Sequence, residues 1–232
     1  MKKFELISEF VTNVFGKKLF RIKALVSFGD VSAGELGGFV EKEENLSNNG
    51  NAWVSGNARV SGDALVSGDA LVYGDARVYG DAWVSDNARV SGNARVSGNA
   101  QVSDNAWVSG NARVYGDARV SGNARVSGNA RVYGDAWVSD NARVSGNARV
   151  SGDADFSVVT GFGRCFRATT FFRCKDKIIR VQCGCFYGDL AQFREIVKKT
   201  HGDSKRAKEY LAIADLMELH FSDEEENQEA AK

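Results

Sequence analysis

The chain has 232 residues, of which 30 are lysine or arginine and 30 are aspartate or glutamate, so its formal net charge is zero. A balanced charge produces no bulk attraction to a polyanion, which argues against nucleic acid as the main partner. The basic start, MKKFELISEF, is interrupted by Glu5 and Glu9 before any apolar run long enough for a signal peptide or a membrane span. We therefore expect a cytoplasmic protein that has no membrane partner.

Residues 1–50 have an irregular sequence and are predicted to form a β-rich N-terminal cap. Within them, the segment FELISEFVTNVFGKKLFRIKALVSF alternates well enough to predict a hairpin that turns near Gly16. Val40 and Leu46 already have the six-residue spacing of the array that follows. The first coil is therefore expected to begin ahead of the regular repeat.

Residues 51–155 form an array of hexads with the pattern Val-(Ser/Tyr)-(Gly/Asp)-(Asn/Asp)-Ala-X, where X is mostly Arg, Trp or Leu. Side chains two residues apart in a strand share a face, so alanine and valine are predicted to point to one side and X to the other. The Gly-Asn or Gly-Asp pair is predicted to form a corner, because these residues tolerate positive φ. A short strand and a corner every six residues is typical of a parallel β-helix, here with about six coils of three hexads each.

With 18 residues in each coil, the outward side chains X fall into three columns. The arginine ladder is the column that contains only arginine: Arg59, Arg77, Arg95, Arg113, Arg131 and Arg149. The same face carries Tyr79, Tyr115 and Tyr133, and the last two are predicted to stack because they occupy neighbouring coils. The other two columns read Trp53, Leu71, Arg89, Trp107, Arg125, Arg143 and Leu65, Trp83, Gln101, Arg119, Trp137, Asp155.

Apolar side chains are concentrated at the outward positions of the first coils, namely Trp53, Leu65, Leu71 and Trp83. An exposed apolar patch of this size needs a cover. Residues 1–45 are therefore predicted to fold against this end of the array and to cover all four side chains.

One corner of the coil carries aspartate in place of glycine, at Asp86, Asp104 and Asp140. These three residues share one 18-residue register and form a short row of carboxylates. Such a row can bind a cation, but a solvated turn is the more common use of aspartate at a corner.

Residues 156–221 return to an ordinary globular sequence and are predicted to form a small α+β domain. The segment ATTFFRCKDKIIRVQC predicts a hairpin around Lys175-Asp176-Lys177, with one face formed by Phe172, Cys174, Ile179, Val181 and Cys183. Two helices are predicted to follow it. The acidic end at residues 222–232 is predicted to be disordered.

Helix signals mark both predicted helices. Asp189 and Gln192 have the spacing of a capping pair at the start of the first helix, and Gly202 is expected to end it. The second helix is predicted to begin at Ser204 and to pack its apolar stripe on the hairpin.

The hexads resemble the hexapeptide repeat of left-handed β-helix proteins. The segment GDVSAGELGGFVEKEENLSNNGNAWV also resembles the N-terminal part of bacterial and prophage hexapeptide-repeat proteins, and TTFFRCKDKIIRVQCGCFYGDLAQF is similar to the C-terminal module of phage-encoded repeat proteins. The resemblance implies a mainly β fold, a left-handed parallel β-helix with a cap and a small C-terminal domain. It also implies a phage or prophage origin, and trimers are frequent among left-handed β-helix families.

Left-handed β-helix families include acyltransferases and carbonic anhydrase-like enzymes, so an enzyme has to be considered. Those enzymes carry histidines on the coils and loops that interrupt the hexads. Here the two histidines, His201 and His220, lie in the predicted C-terminal helices, and residues 51–155 contain no insertion. We predict no catalytic residue and no cofactor, and we keep an acyltransferase as the remote alternative.

The cysteines are weak candidates for a metal site. Cys174, Cys183 and Cys185, with Cys165 or His201, contain ligand types that bind zinc. A single intervening residue between Cys183 and Cys185 is uncommon in zinc sites, and small buried cysteines often fill a core. We therefore predict no metal site.

The arginine ladder is the best candidate for function. A row of guanidinium groups can hold phosphates or carboxylates, and the tyrosines beside it offer stacking surfaces. Against this, the Asp and Asn residues of the corners can neutralise the ladder and leave it an ordinary solvated face. The hypothesis is a non-enzymatic phage or prophage binding or scaffold module that engages a protein partner or an anionic ligand, with host interference suggested only by the phage resemblance. The alternative is a structural spacer or assembly protein whose C-terminal domain recognises the partner.

Overall fold

The computed structural model describes residues 2–152, 156–163, 168–173 and 178–222. The chain divides into two compact units. The first unit is Met1–Asn147 with Ser151–Asp153, and the second is Ala148–Val150 with Ala154–Lys232. The predicted disordered tail lies outside the described residues from position 223 onward.

The first unit begins with a hairpin formed by β1 (Phe4–Thr12) and β2 (Lys18–Ala24), which pair antiparallel. Gly16 has φ +78° in the turn between them, a value that favours glycine. The strand β2 also pairs antiparallel with β3 (Leu36–Val40), and a 3-10 turn follows at Glu43–Asn45. The predicted hairpin and its turn near Gly16 are confirmed.

The hexads contribute one two-residue strand each. These strands are β4 (Trp53–Val54), β5 (Arg59–Val60), β6 (Leu65–Val66), β7 (Leu71–Val72), β8 (Arg77–Val78), β9 (Trp83–Val84), β10 (Arg89–Val90), β11 (Arg95–Val96), β12 (Gln101–Val102), β13 (Trp107–Val108), β14 (Arg113–Val114), β15 (Arg119–Val120), β16 (Arg125–Val126), β17 (Arg131–Val132), β18 (Trp137–Val138), β19 (Arg143–Val144) and β20 (Arg149–Val150). Within the first unit, each strand from β4 to β16 pairs in parallel with the strand 18 residues further along, as Arg95 does with Arg113. The predicted 18-residue coil is confirmed, and the array makes about six turns of a mainly β solenoid.

Parallel pairing sorts the strands into one sheet for each side of the coil. The sheet that carries the arginine ladder has the order β1-β2-β3-β5-β8-β11-β14-β17 within the first unit. The second sheet is β4-β7-β10-β13-β16-β19 and the third is β6-β9-β12-β15-β18. Phe39 pairs with Arg59, and Leu46 forms a bridge with Val66, so the solenoid begins before the regular hexads, as predicted. This first coil is two residues longer than the later ones.

Alanine and valine fill the interior of the solenoid. Each described alanine and valine at the inward positions of the hexads has at most 1% of its surface exposed. Burial of each valine side chain contributes about 1.5 kcal/mol to the free energy of unfolding. The backbone of successive coils is joined by hydrogen bonds, for example from the N–H of Arg95 to the oxygen of Ala112 at 2.9 Å.

The hydrogen bonds at the corners and at the ends of the strands have a direction, because each such N–H points to the following coil and each such alanine or corner C=O points to the preceding one, as in the bonds from Asn93 to Gly110 and from Arg95 to Ala112. Some of these carbonyl groups at the N-terminal end of the regular hexads therefore need donors from the segment that precedes the hexads. The buried side chain of Asn45 donates from Nδ2 to the oxygens of Gly62 at 3.0 Å and Ala64 at 2.8 Å. The buried side chain of Lys3 donates from Nζ to the oxygen of Ala52 at 2.9 Å. Both residues thus cap the N-terminal end.

The N-terminal segment covers only part of the apolar surface predicted for it. Trp53 is buried and packs edge-on against Phe28, with the ring centroids 5.4 Å apart. Leu65 and Leu71 are half-buried, and Trp83 is 49% exposed. The prediction that this segment covers Trp83 is therefore wrong, because the hairpin extends the sheet of the arginine ladder and not the sheet that contains β9.

Among the described residues, the second unit contains an antiparallel sheet and two helices. They are β21 (Phe156–Val159), β22 (Thr169–Arg173), β23 (Ile179–Cys183), β24 (Phe186–Asp189), α1 (Leu190–His201) and α2 (Lys205–His220), with the sheet in the order β21-β22-β23-β24. The predicted hairpin corresponds to β22 and β23, and β21 and β24 extend it on both edges. No helix within the described ranges is both long and apolar enough to cross a membrane.

The register of this hairpin differs from the predicted one. Phe171 pairs with Val181, and both are fully buried in the core that also contains side chains of α1 and α2. Phe172 pairs with Arg180 instead and lies 6.2 Å from the ring of Tyr187. The prediction that Phe172 shares the face of Val181 is wrong, since a shift of one residue moves a side chain to the opposite face of a strand.

The predicted helix caps are confirmed. Asp189 Oδ1 accepts a hydrogen bond from the N–H of Gln192 at 2.8 Å, and Gln192 Oε1 accepts one from the N–H of Asp189 at 3.0 Å. Gly202 is the C-cap of α1, and the hydroxyl of Ser204 accepts a hydrogen bond from the N–H of Ala207 at the start of α2.

The capping role of Asn45 predicts that its substitution by alanine strongly lowers the free energy of unfolding. Asn45→Ala leaves the carbonyl groups of Gly62 and Ala64 without these donors, so we expect it to lower the free energy of unfolding by about 2–4 kcal/mol. Asn93→Ala is the matched control, because Asn93 is exposed at a corner, and we expect a change within about 0.5 kcal/mol. Urea unfolding of the two variants measures both values. Equal effects would contradict the capping role.

Lys3 predicts a pH dependence of stability. Burial lowers the pKa of Lys3 from 10.5 to about 8, although the charge of Asp69 acts to raise it. The folded protein then binds this proton less tightly than the unfolded chain, so the free energy of unfolding rises with pH between about 8 and 10.5. Lys3→Met removes this contribution. Urea unfolding at about pH 7 and about pH 9 should show a larger rise for the natural protein than for the variant, and equal rises would contradict the pKa.

Candidate functional site

The arginine ladder is built by strand pairing. Arg59, Arg77, Arg95, Arg113 and Arg131 are each paired with the next in register, so their side chains leave the same face at the strand spacing of about 4.8 Å. The column predicted from the 18-residue register is confirmed for these residues. Arg149 lies in β20, which belongs to the second unit.

The ladder arginines of the first unit make no direct polar contact with the corners among the described residues. Within the described part of the chain, Arg59, Arg77, Arg95, Arg113 and Arg131 form no ion pair and no side-chain hydrogen bond, whereas other charged residues form several. Corner Asp and Asn residues therefore do not neutralise these five arginines by direct contact, and neutralisation by the nearby charge of the corners stays an alternative.

The corner residues contact one another instead. Asn99 Nδ2 donates to Asp117 Oδ1 at 2.8 Å, and Asn57 Nδ2 donates to Asp75 Oδ1 at 3.3 Å. Each pair spans 18 residues, because the same strand spacing that aligns the arginines also aligns the corners. Short Asn and Asp side chains reach the next coil more readily than they reach the neighbouring face.

Tyrosines lie beside the ladder as predicted. The rings of Tyr115 and Tyr133 are stacked, with centroids 5.2 Å apart and an angle of 7° between their planes. Tyr79 is exposed and has serines, Ser61 and Ser97, as its neighbours in the column. The face therefore combines a row of cations with aromatic surface.

A groove lies between the ladder and the tip of the N-terminal hairpin. We define the hairpin groove as the cavity of about 660 Å³ lined by residues 12–15 and Lys17, Leu19, Glu41, Arg59, Ser61, Gly62, Arg77, Val78, Tyr79, Gly80 and Arg95. The sequence predicted the ladder but not this groove. The hexad spacing of Val40 was the signal that could have located it, because it places β3 beside the ladder strand β5. Since β2 pairs with β3, the hairpin then lies next to the ladder.

Glu41 is the carboxylate of the hairpin groove, and its charge is already satisfied. Its oxygens accept hydrogen bonds from Lys17 Nζ at 2.7 Å and from the N–H of Gly62 at 2.8 Å. Burial acts to raise the pKa of Glu41, but these two hydrogen bonds and the charges of Lys17 and Lys42 outweigh it and lower the pKa. Glu41 is therefore a poor partner for the arginines.

Three of the four tryptophans in the other two columns, Trp83, Trp107 and Trp137, have a structural role. Trp83 Nε1 donates to Ser67 Oγ at 3.1 Å, and Trp107 and Trp137 make the same bond to a serine 16 residues earlier. Arg125 lies over the ring of Trp107, 5.7 Å from its centroid. Each indole thus bridges two coils.

The aspartates at the glycine corner also have a structural explanation. Asp86, Asp104 and Asp140 have φ between 56° and 58°, a conformation that aspartate tolerates better than most residues. Asp104 Oδ2 accepts a hydrogen bond from the N–H of Gly122 in the next coil at 3.0 Å. In the described ranges, no group of three or more His, Cys, Asp or Glu residues is arranged to hold a metal ion.

The cysteines considered as zinc ligands have different environments. Cys183 Sγ accepts a hydrogen bond from Thr169 Oγ1 at 3.2 Å and packs against the core of the second unit, whereas Cys185 is exposed. Cys174 and Cys165 lie outside the described residues. His201 is stacked near Tyr210, with ring centroids 5.9 Å apart.

The hexad array matches a known repeat. A family model described as the YdcK Beta solenoid repeat matches residues 52–68, 58–74, 70–86, 88–104, 100–116, 112–127, 124–140 and 142–154. The chain is a repeat β-solenoid protein. No curated protein matches the chain. The repeat match covers the strands of the solenoid that carry the arginine ladder and does not extend to the hairpin or to the helices of the second unit.

The absence of ion pairs on the ladder predicts a gain in stability when a charge is removed. Arg113→Gln keeps most of the side chain but relieves repulsion from Arg95 and Arg131, so we expect a rise of about 0.2–1 kcal/mol in the free energy of unfolding at low salt. High salt should abolish this gain by screening. Arg125→Gln is the control and should give no gain, because Arg125 loses its contact with Trp107. A loss of stability in Arg113→Gln at low salt would contradict the prediction.

Proposed function

We propose that this β-solenoid is a non-enzymatic binding or scaffold module whose arginine ladder and tyrosines engage an anionic partner, either an acidic protein segment or a smaller anionic ligand. The observation that carries the proposal is the row of five arginines in register that have no ion-pair partner in the described part of the chain. Like charges placed directly opposite in a sheet reduce stability, and a bound anion offsets that cost.

Guanidinium chemistry supports this choice. Arginine presents a planar set of donors that binds a carboxylate or phosphate through two parallel hydrogen bonds. A series of such groups at about 4.8 Å spacing offers several contacts to an extended polyanion. The stacked rings of Tyr115 and Tyr133 add a flat surface for apolar parts of the same partner.

Several finer features are part of the proposal. The left-handed sense of the coil, a phage or prophage context with a role in host interference, and a homotrimeric assembly rest on the sequence resemblance alone. A cytoplasmic location rests on the start of the sequence, where Glu5 and Glu9 interrupt any apolar run. The non-enzymatic role is supported by the position of the chain's two histidines, His201 and His220, in α1 and α2 rather than on the solenoid.

A second function, as a spacer whose second unit recognises the partner, is favoured by one observation. Leu216 and Leu219 are exposed on α2, one helical turn apart. Exposed leucines in adjacent turns form an apolar surface that suits a protein contact. In that case the ladder is a solvated face and its arginines contribute nothing to binding.

A synthetic poly-L-glutamate peptide long enough to span the ladder tests the first function. We expect the combined substitutions Arg95→Ser, Arg113→Ser and Arg131→Ser to weaken binding by about 10–100-fold, because each removes a charge-assisted hydrogen bond. The melting temperature should change little. Calorimetric titration at about 0.15 M salt measures the affinity.

The matched control removes the same charge from the other two faces, with Arg89→Ser, Arg119→Ser and Arg125→Ser. We expect this variant to keep its affinity within about threefold, since surface charges beyond the Debye length are screened. Equal loss in both variants would show attraction to overall charge and would contradict a role for the ladder. Unchanged binding in the ladder variant would favour the spacer function.

A further inference from the structure

We propose that the hairpin groove is a binding site for a small organic phosphate in which an aromatic ring is joined to two or more phosphate groups. This inference rests on the proposed function, because three cations of the groove, Arg59, Arg77 and Arg95, belong to the arginine ladder. The inference goes beyond the proposed function in two ways. It assigns the binding to a defined pocket at one end of the ladder, and it names a class of ligand for which the rest of the ladder has no specific site.

The wall that the hairpin provides is held in place. Asn13 Oδ1 accepts hydrogen bonds from the N–H groups of Phe15 at 2.9 Å and Lys17 at 3.0 Å, which fix the turn. Lys17 Nζ then donates to Glu41 Oε1 at 2.7 Å, which attaches the hairpin to the start of the solenoid. The groove is therefore formed before a ligand arrives, and the cost of ordering the wall is already met by folding.

The charge of the groove selects a multivalent anion. Among the described residues that line it, four side chains are cationic and one, Glu41, is anionic. Lys17 is paired with Glu41, so Arg59, Arg77 and Arg95 remain available on three consecutive coils. Guanidinium groups spaced by about 4.8 Å can each grip oxygens of a different phosphate in a short chain.

The rest of the lining selects a ring. Val14 is 86% exposed and Phe15 is 82% exposed at the tip of the hairpin, and Tyr79 presents its exposed ring on the solenoid side. Apolar side chains this open to water gain contact when a flat ring lies against them, and stacking on an aromatic side chain contributes about 1–3 kcal/mol. An anion without a ring leaves this surface solvated.

The size of the cavity points to a small molecule. A volume of about 660 Å³ falls within the range of about 300–1,000 Å³ that is usual for pockets that bind small ligands. Its three unpaired cations, Arg59, Arg77 and Arg95, lie on the solenoid side, and the exposed side chains of Val14 and Phe15 lie on the hairpin side. This division matches a ligand with a phosphate end and an aromatic end.

Calorimetric titration of the full chain with three probes tests the site in metal-free buffer. ATP supplies ring and phosphates, tripolyphosphate supplies phosphates alone, and adenosine supplies the ring alone. We expect ATP to bind, tripolyphosphate to bind about tenfold more weakly because it loses the stacking contribution, and adenosine to show no detectable binding.

Variants assign the binding to the groove. Arg77→Gln should weaken both ATP and tripolyphosphate by about tenfold, through loss of a charge-assisted contact. Val14→Ser combined with Phe15→Ser should bring ATP close to tripolyphosphate in affinity and leave tripolyphosphate unchanged. These two residues are exposed in a turn, so the fold is expected to persist. Arg131→Gln is the matched control on the same face outside the groove, and it should change neither affinity by more than about twofold.

The outcomes separate this inference from the proposed function. Equal affinity for ATP and tripolyphosphate, reduced to the same degree by Arg77→Gln and Arg131→Gln, would overturn the groove and leave the ladder as the binding surface. ATP binding that survives Arg77→Gln, or no ATP binding while poly-L-glutamate still binds, would also overturn the groove alone. Failure of every anion to bind would overturn both.

Discussion

The hydrogen bond from the N–H of one coil to the C=O of the next is the interaction on which the rest of the first unit depends. It places each residue beside the residue 18 positions away, as in the bond from Arg95 to Ala112 that aligns Arg95 with Arg113. Since the sequence repeats, neighbours across coils are copies of one another. The buried valines, the Asn and Asp contacts at the corners, the Tyr115 and Tyr133 stack and the arginine ladder all follow from this one register.

The direction of these hydrogen bonds links stability to the candidate site. Because the carbonyl groups of the alanines and corner residues point to the N-terminal end, that end needs donors, and Asn45 and Lys3 provide them from the segment that precedes the regular hexads. The hairpin in the same segment joins the ladder's sheet through β3. The part of the chain that caps the solenoid therefore also closes the groove over Arg59 and Arg77.

The three outward columns differ in how far their side chains are satisfied. Trp83, Trp107 and Trp137 donate to serines of the preceding coil, Arg125 lies over Trp107, and Asp86 and Asp104 accept backbone N–H groups. These residues have structural explanations. The ladder arginines of the first unit have no ion pair or side-chain hydrogen bond among the described residues, and although the same holds for Arg89 and Arg119, only the ladder places five such arginines in register. The ladder is therefore the face on which a bound anion explains most.

The sequence by itself determined the solenoid and the order of residues within each column, because a six-residue pattern of valine, alanine and corner residues is compatible with very few backbones. It also determined the caps of α1 and α2, which depend on residues three positions apart. Only the tertiary structure decided that the corner residues form no ion pair or hydrogen bond with the ladder arginines of the first unit, that Trp83 stays exposed and that Phe171 rather than Phe172 faces the core. The exposure of Trp83 depends on which sheet the N-terminal hairpin extends, and the position of Phe171 depends on the pairing register of β22 with β23. Local periodicity encodes neither of these. The groove belongs to the same class, since it exists only where two segments distant in sequence meet.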